Sequence, residues 1–193
     1  MDVLFSVLRL VGVVAVTLGT AVFVAAEFSL TTLERSQVDH HVAEVGDRRA
    51  RIVARAHRNL SFELSGAQLG ITITTLVTGY LAQPAIATLI SPVLLDVGLP
   101  AGAATGAAAV IALVLATVLS MVFGELVPKN LAIAAPLRTA RAVVGVQAGF
   151  SRVLAWFISG LNGAANWIVR RLGVEPAEET AALQRRILAG EAL

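Results

Sequence analysis

Hydrophobic and polar positions separate along this chain into long blocks. Residues 10–26 carry no charged side chain, and the apolar pattern runs on past Glu27 to Leu33. Residues 64–95 carry none, and neither do residues 97–124. About 20 consecutive apolar residues cross the hydrocarbon core of a bilayer as a helix. The three blocks therefore predict three membrane-spanning helices, over about residues 8–33, 62–90 and 98–124. A fourth apolar block, residues 142–169, is weaker because Arg152 interrupts it.

Between the first two spans the pattern changes. Over residues 34–61 the apolar positions Val38, Val42, Val45, Ile52, Val53 and Ala56 recur among arginines, which predicts short helices with one apolar stripe. Gly46 and Asp47 mark a break between them. From residue 176 to 193 the chain turns polar and predicts the start of a cytoplasmic linker helix.

Composition narrows the class. Of 193 residues, 56% are hydrophobic and 15% charged, against about 45–50% and about 25% in soluble domains. An ordinary soluble globule and a disordered chain are both excluded. The chain has no cysteine, so it is no disulfide-stapled scaffold. Fifteen basic residues against thirteen acidic ones leave a net charge of +2, too little for a nucleic-acid binder. The partner expected is the lipid bilayer, not nucleic acid.

Orientation follows from where the arginines fall. Arg35, Arg48, Arg49, Arg51, Arg55 and Arg58 lie between the first two spans, whereas residues 91–100 contain no Lys or Arg. The only lysine, Lys129, and seven more arginines follow the third span. Cytoplasmic loops are enriched in Lys and Arg. Three crossings satisfy that bias with the N-terminus outside and the C-terminus inside. Residues 138–170 then form a juxtamembrane segment along the inner interface, with Trp156 and Trp167 as headgroup anchors. The expected fold is thus an all-α, multi-pass integral membrane protein of the cell (inner) membrane. Three GxxxG pairs, Gly66 with Gly70, Gly102 with Gly106 and Gly145 with Gly149, are candidates for close helix contacts.

An ionisable residue inside a span is a functional candidate by default. Glu27 and Glu125 qualify, each at the inner end of its span. A carboxylate at the headgroup boundary also pairs readily with a nearby arginine, such as Arg35. Glu125 follows Gly124 and precedes Pro128, a pattern that predicts a broken helix. Carbonyls freed near Gly124, beside a carboxylate, suit a hard cation such as Mg²⁺ or Na⁺. In the second span Ser65, Gln68 and Thr72 share one helix face and Thr75 continues it. Such hydroxyls are neutral ligands, or they bond back to their own helix carbonyls. No nucleophile–base pair is present to suggest an enzyme. His40, His41 and His57 lack the spacing of a zinc site.

These residues also carry a resemblance. The run from Gly124 through Glu125, Leu126, Val127 and Pro128 to Lys129 resembles the G-E-[LIV]-x-P-K signature of the CNNM/CorC family transmembrane domain. Ala25-Ala26-Glu27-Phe28-Ser29-Leu30 is similar to that family's first-span motif. Leu64-Ser65-Gly66-Ala67-Gln68-Leu69-Gly70-Ile71-Thr72 is similar to its second-span opening. The likeness spans residues 1–175. It implies a homodimeric three-span domain with a juxtamembrane helix. It further implies Mg²⁺ transport in the direction of efflux, with Na⁺ as coupling ion. Bacterial members often bear a hemolysin-related label. A CBS-type soluble domain usually follows in the family and is absent here, as in a short member or a shortened chain. Glu125 and Gly124 match the family motif. One branch places serines before the first-span glutamate and asparagines after the second-span glycine. This chain has Val24, Ala25 and Ala26, then Ile71 and Thr72, at those places. Gln68, Thr72 and Ser29 would have to serve as the neutral metal ligands. The alternative expectation is a non-transporting membrane scaffold or sensor that positions a soluble partner domain.

Overall fold

The computed structural model describes residues 2–173, and the linker expected over 176–193 lies outside them. Every regular element among the described residues is helical. The helices are α1 (Asp2–Thr32), α2 (Arg35–Val45), α3 (Arg48–Arg58), α4 (Leu60–Asp96), α5 (Ala101–Leu119), α6 (Val127–Ala134), α7 (Pro136–Val153) and α8 (Ala155–Arg171). A π-helical turn, Ser120–Leu126, joins α5 to α6. Arg9–Thr32, Leu60–Asp96 and Ala101–Ala134 are long and apolar enough to cross a membrane. The pair α7 and α8, bent by 79°, passes the same test only when taken together. The fold is an all-α integral membrane fold with three candidate spans.

Local chemistry sets the helix boundaries in the arginine-rich segment. Gly46 ends α2 at φ 55°, a left-handed conformation that glycine adopts without strain. Asp47 then caps α3, its carboxylate accepting from the Ala50 N–H at 2.7 Å. At the start of α2 the Glu34 N–H donates to Gln37 Oε1 at 3.2 Å.

The third span differs from its expected form. The Gly124 to Pro128 region does not interrupt the helix. The Val127 N–H donates to the Val122 carbonyl, five residues back. This wider winding carries the chain through Pro128 into α6. Proline has no N–H and crowds the carbonyl four residues earlier in an α-helix. A π-turn accommodates that misfit while keeping the helix continuous. The third helix consequently runs ten residues past Gly124, the end the charge-free block suggested.

Packing joins α1 to α4 and α4 to α5, and α7 lies against α1, α3 and α4. Gly70 allows the first contact, since a Cβ there would fall 2.7 Å from the Phe23 ring. A Cβ on Gly66 would strike Ser151 Oγ, so Gly66 brings α4 against α7. The other two GxxxG pairs meet open space at all four glycines. Close packing of α5 uses Ala104, Ala108, Ala112 and Ala116 instead, buried at every fourth position. The main core cluster lies at the arginine-rich end. There Leu30 of α1 and Leu33 just after it meet Val38 of α2, Val53 of α3, and Ala140 and Val144 of α7.

Candidate functional site

Two places along α4 bring carboxylates and neutral polar groups together. Gln68 of the first and Thr75 of the second are seven residues apart and so share one face of the helix, two turns apart along its axis. At the first, Gln68 Nε2 donates to Glu27 Oε1 across a long 3.5 Å. Glu27 thus meets an amide, not Arg35, which pairs with Asp39 at 3.8 Å.

The second place holds Glu125. A cavity of about 230 Å³ lies between α4 and the third span. Thr75, Thr78 and Gly79 line it from α4, with Thr117, Ser120 and Glu125 opposite. The π-turn puts Ser120 and Glu125 on this wall. Glu125 makes no ion pair among the described residues. The Lys129 ammonium lies instead 4.6 Å from the centre of the Phe28 ring.

The threonine hydroxyls within the spans differ in whether they are spent on their own helix. Thr17, Thr20, Thr72, Thr74, Thr105 and Thr117 each donate to a carbonyl four residues back in their own helix. The Oγ1 atoms of Thr75 and Thr78 are buried and make no hydrogen bond. Buried polar atoms without partners are uncommon and costly. Here two of them share a cavity with an unpaired carboxylate.

The five expected ligands do not converge. Glu125 lines the cavity. Gly124 is buried on another side of the third span, where its Cβ position lies 3.5 Å from Thr20. Thr20 in turn donates to Thr74 Oγ1 at 2.8 Å. Gln68 is engaged with Glu27. The Thr72 hydroxyl is taken by the Gln68 carbonyl at 2.8 Å. Ser29 is fully buried and donates to the Ala26 carbonyl at 3.2 Å. Among the described residues no three His, Cys, Asp or Glu side chains cluster as a metal centre would require. The cavity at Glu125 is lined by one carboxylate among hydroxyl-bearing residues, a lining that suits an ion keeping part of its water shell.

Thr78, Thr117 and Ser120 line the cavity beside Glu125 and are not among the five expected ligands. The signal was available in part, because Thr78 follows Thr75 by three residues and so shares its side of the helix. Nor is Glu63 among them. This carboxylate is 8% exposed at the start of α4. It accepts from Ser151 Oγ at 2.8 Å and from Gln147 Nε2 at 3.4 Å. Those bonds tie the start of α4 to α7.

A larger cavity, about 790 Å³, opens at the arginine-rich end between α3, the start of α4 and α7. Size does not make it the cation site. Its rim presents arginines, which repel cations.

The sequence matches the family model described as Cyclin M transmembrane N-terminal domain over residues 10–189. It is 58% identical over 179 residues to the UPF0053 protein MT1890 of Mycobacterium tuberculosis (strain CDC 1551 / Oshkosh), covering 93% of this chain and 39% of that protein. It is 36% identical over 179 residues to the uncharacterized protein Rv1841c of Mycobacterium tuberculosis (strain ATCC 25618 / H37Rv), covering 93% of this chain and 50% of that one. It is 36% identical over 160 residues to the UPF0053 protein YhdT of Bacillus subtilis (strain 168), covering 83% and 34%. The chain therefore spans half or less of the length of these relatives.

Proposed function

Because the chain belongs to the cyclin M transmembrane family, which is linked to divalent-cation transport, we propose that it is a Mg²⁺-conducting membrane domain whose ion passes Glu125. The observation that carries this reading is that Thr75 and Thr78, whose buried hydroxyls make no hydrogen bond, line the same cavity as Glu125. Mg²⁺ sheds its waters reluctantly and is commonly held by one or two carboxylates with water retained. A single carboxylate with hydroxyls to hold the remaining waters matches that preference. The Gly124 carbonyl, one position before Glu125, is a further oxygen if the π-turn rewinds. Gln68, Thr72 and Ser29 contribute along the path only if their present hydrogen bonds exchange. The same reading includes efflux as the direction, Na⁺ as the coupling ion, a homodimer and residence in the cell membrane.

The test is Mg²⁺-dependent thermal stability in detergent, for wild type beside Glu125→Gln and Thr78→Val, at constant ionic strength with Ca²⁺ and Na⁺ controls. A ligand that binds the native state raises its stability by mass action. A saturable Mg²⁺-selective rise in Tm, lost in Glu125→Gln, is expected. No response to any ion from the folded wild type overturns the reading and leaves a scaffold that positions a soluble partner.

A further inference from the structure

The larger cavity is electrostatically one-sided. Arg48, Arg49, Arg51 and Arg55 of α3 and Arg152 of α7 line it, and none of these five has a carboxylate partner among the described residues. Arg141 also lines it but is held by Asp47, with Nη2 donating to Oδ2 at 2.6 Å and Nη1 to Oδ1 at 3.1 Å. The one carboxylate in the lining, Glu63, is turned into its bonds with Ser151 and Gln147. Guanidinium groups gathered without anions form a receptor for phosphate, which they bind bidentately.

Apart from Asn59, the rest of the lining is apolar. Ile52 and Phe62 form one wall, and Val146, Gly145 and Gly149 of α7 form the other. Both glycines meet open space, so this GxxxG face borders a groove and not a helix. Position adds a third constraint. Asn59 directly precedes the Leu60–Asp96 span, Arg55 lies one turn earlier at the end of α3, and Arg152 sits at the bend between α7 and α8. The cavity thus lies at the depth where a span emerges among headgroups.

We propose that this cavity binds one anionic phospholipid, its phosphate held by the α3 arginines and Arg152 and an acyl chain laid along the Gly145–Gly149 face of α7. A soluble phosphate would use the arginines and leave the apolar wall wet. The lipid uses both. The site is independent of the cation reading at Glu125.

The test uses the 193-residue chain in micelles doped with dioleoylphosphatidylglycerol, with dioleoylphosphatidylcholine, or with neither plus inorganic phosphate at matched ionic strength. Thermal stability and native mass spectrometry are the readouts. A saturable rise in Tm with phosphatidylglycerol, and one retained lipid per chain, are expected. Arg51→Gln with Arg55→Gln weakens that binding about thirtyfold, at the usual increment for two basic residues near an anionic surface. Gly149→Leu fills the groove without altering charge, so it lowers affinity while the protein stays folded. Three results overturn the proposal. One is an equal response to phosphatidylcholine. Another is a full response to inorganic phosphate alone, which assigns the arginines to a soluble anion. The third is unchanged lipid affinity in a folded Gly149→Leu variant.

Discussion

The Lys129 ammonium rests over the Phe28 ring, 4.6 Å from its centre, and makes no ion pair with Glu125, the carboxylate four residues before it. Four residues separate Glu125 from Lys129, the spacing at which helical ion pairs form. The π-turn ends between them and changes the angular relation of the two side chains. The aromatic face of α1 takes the ammonium, and the carboxylate stays available at its cavity. Replacing Lys129 with Met keeps the apolar stem and removes the charge. A loss of about 0.5–2 kcal/mol in unfolding free energy is expected, with Mg²⁺ stabilisation retained. Parallel thermal melts with and without Mg²⁺ check both halves.

Thr78→Val separates stability from function. The Thr78 hydroxyl is buried without a hydrogen bond, so an isosteric methyl relieves a desolvation penalty of about 1 kcal/mol. The variant should melt higher than wild type in ion-free buffer and gain less from Mg²⁺. If it melts lower, the hydroxyl has a partner in solution.

Two glycine pairs predict opposite outcomes. Gly70→Ala forces a methyl into the Phe23 ring and should cost about 1–3 kcal/mol as α1 and α4 part. Gly106→Ala meets open space within α5, where alanine is favoured over glycine in a helix by about 0.8–1 kcal/mol. Chemical denaturation of the two variants in the same micelle gives the comparison.

The Asp47–Arg141 clamp makes stability depend on acid. The Arg141 guanidinium, then the Ala50 N–H, hold the Asp47 carboxyl below its ordinary value near 3.8. A carboxylate with a lowered folded-state pKa stabilises fully above the unfolded value, and that contribution is lost as pH falls through the folded one. Wild-type Tm should drop on acidification below about pH 4, and Asp47→Asn should flatten that limb. A Tm series from pH 7 to pH 3 on both proteins reads it out. The same guanidinium touches His41 Nε2 at 2.7 Å. Because arginine only donates, that nitrogen must accept, which requires the tautomer protonated at Nδ1.

The Ser151 hydroxyl donates to buried Glu63. Ser151→Ala leaves that carboxylate one donor short and should destabilise by about 1–3 kcal/mol. Glycine at the same position should cost more, because Ser151 is itself buried in α7.

The spans were legible because charge is too costly in a bilayer to be scattered, so its absence over residues 64–95 and 97–124 marks them. Glu125 stood out for the same reason. The π-turn did not, since a Gly–Pro spacing says that the α-helical pattern is disturbed but not whether the helix breaks or widens. The stripe of Ser65, Gln68, Thr72 and Thr75 is one face of α4, but its members meet different helices along the axis. Gln68 reaches Glu27 of α1, whereas Thr75, two turns on, lines the cavity against the third span. Which neighbour a given turn meets is set by how the helices pack, which no local pattern encodes. Glu63 escaped notice because a charge at a span boundary looks like one in water. Only the approach of α7, through Gly66, encloses it.

The core cluster of Leu30, Leu33, Val38, Val53, Ala140 and Val144 is gathered at one end of the spans. Toward the other end, α4 exposes Tyr80, Leu89 and Val93. At 1.5 Å per residue, the 37 residues of α4 extend about 55 Å, well beyond a hydrocarbon core of about 30 Å. A helix of that length fits the bilayer only by tilting or by carrying one end out of the hydrocarbon core.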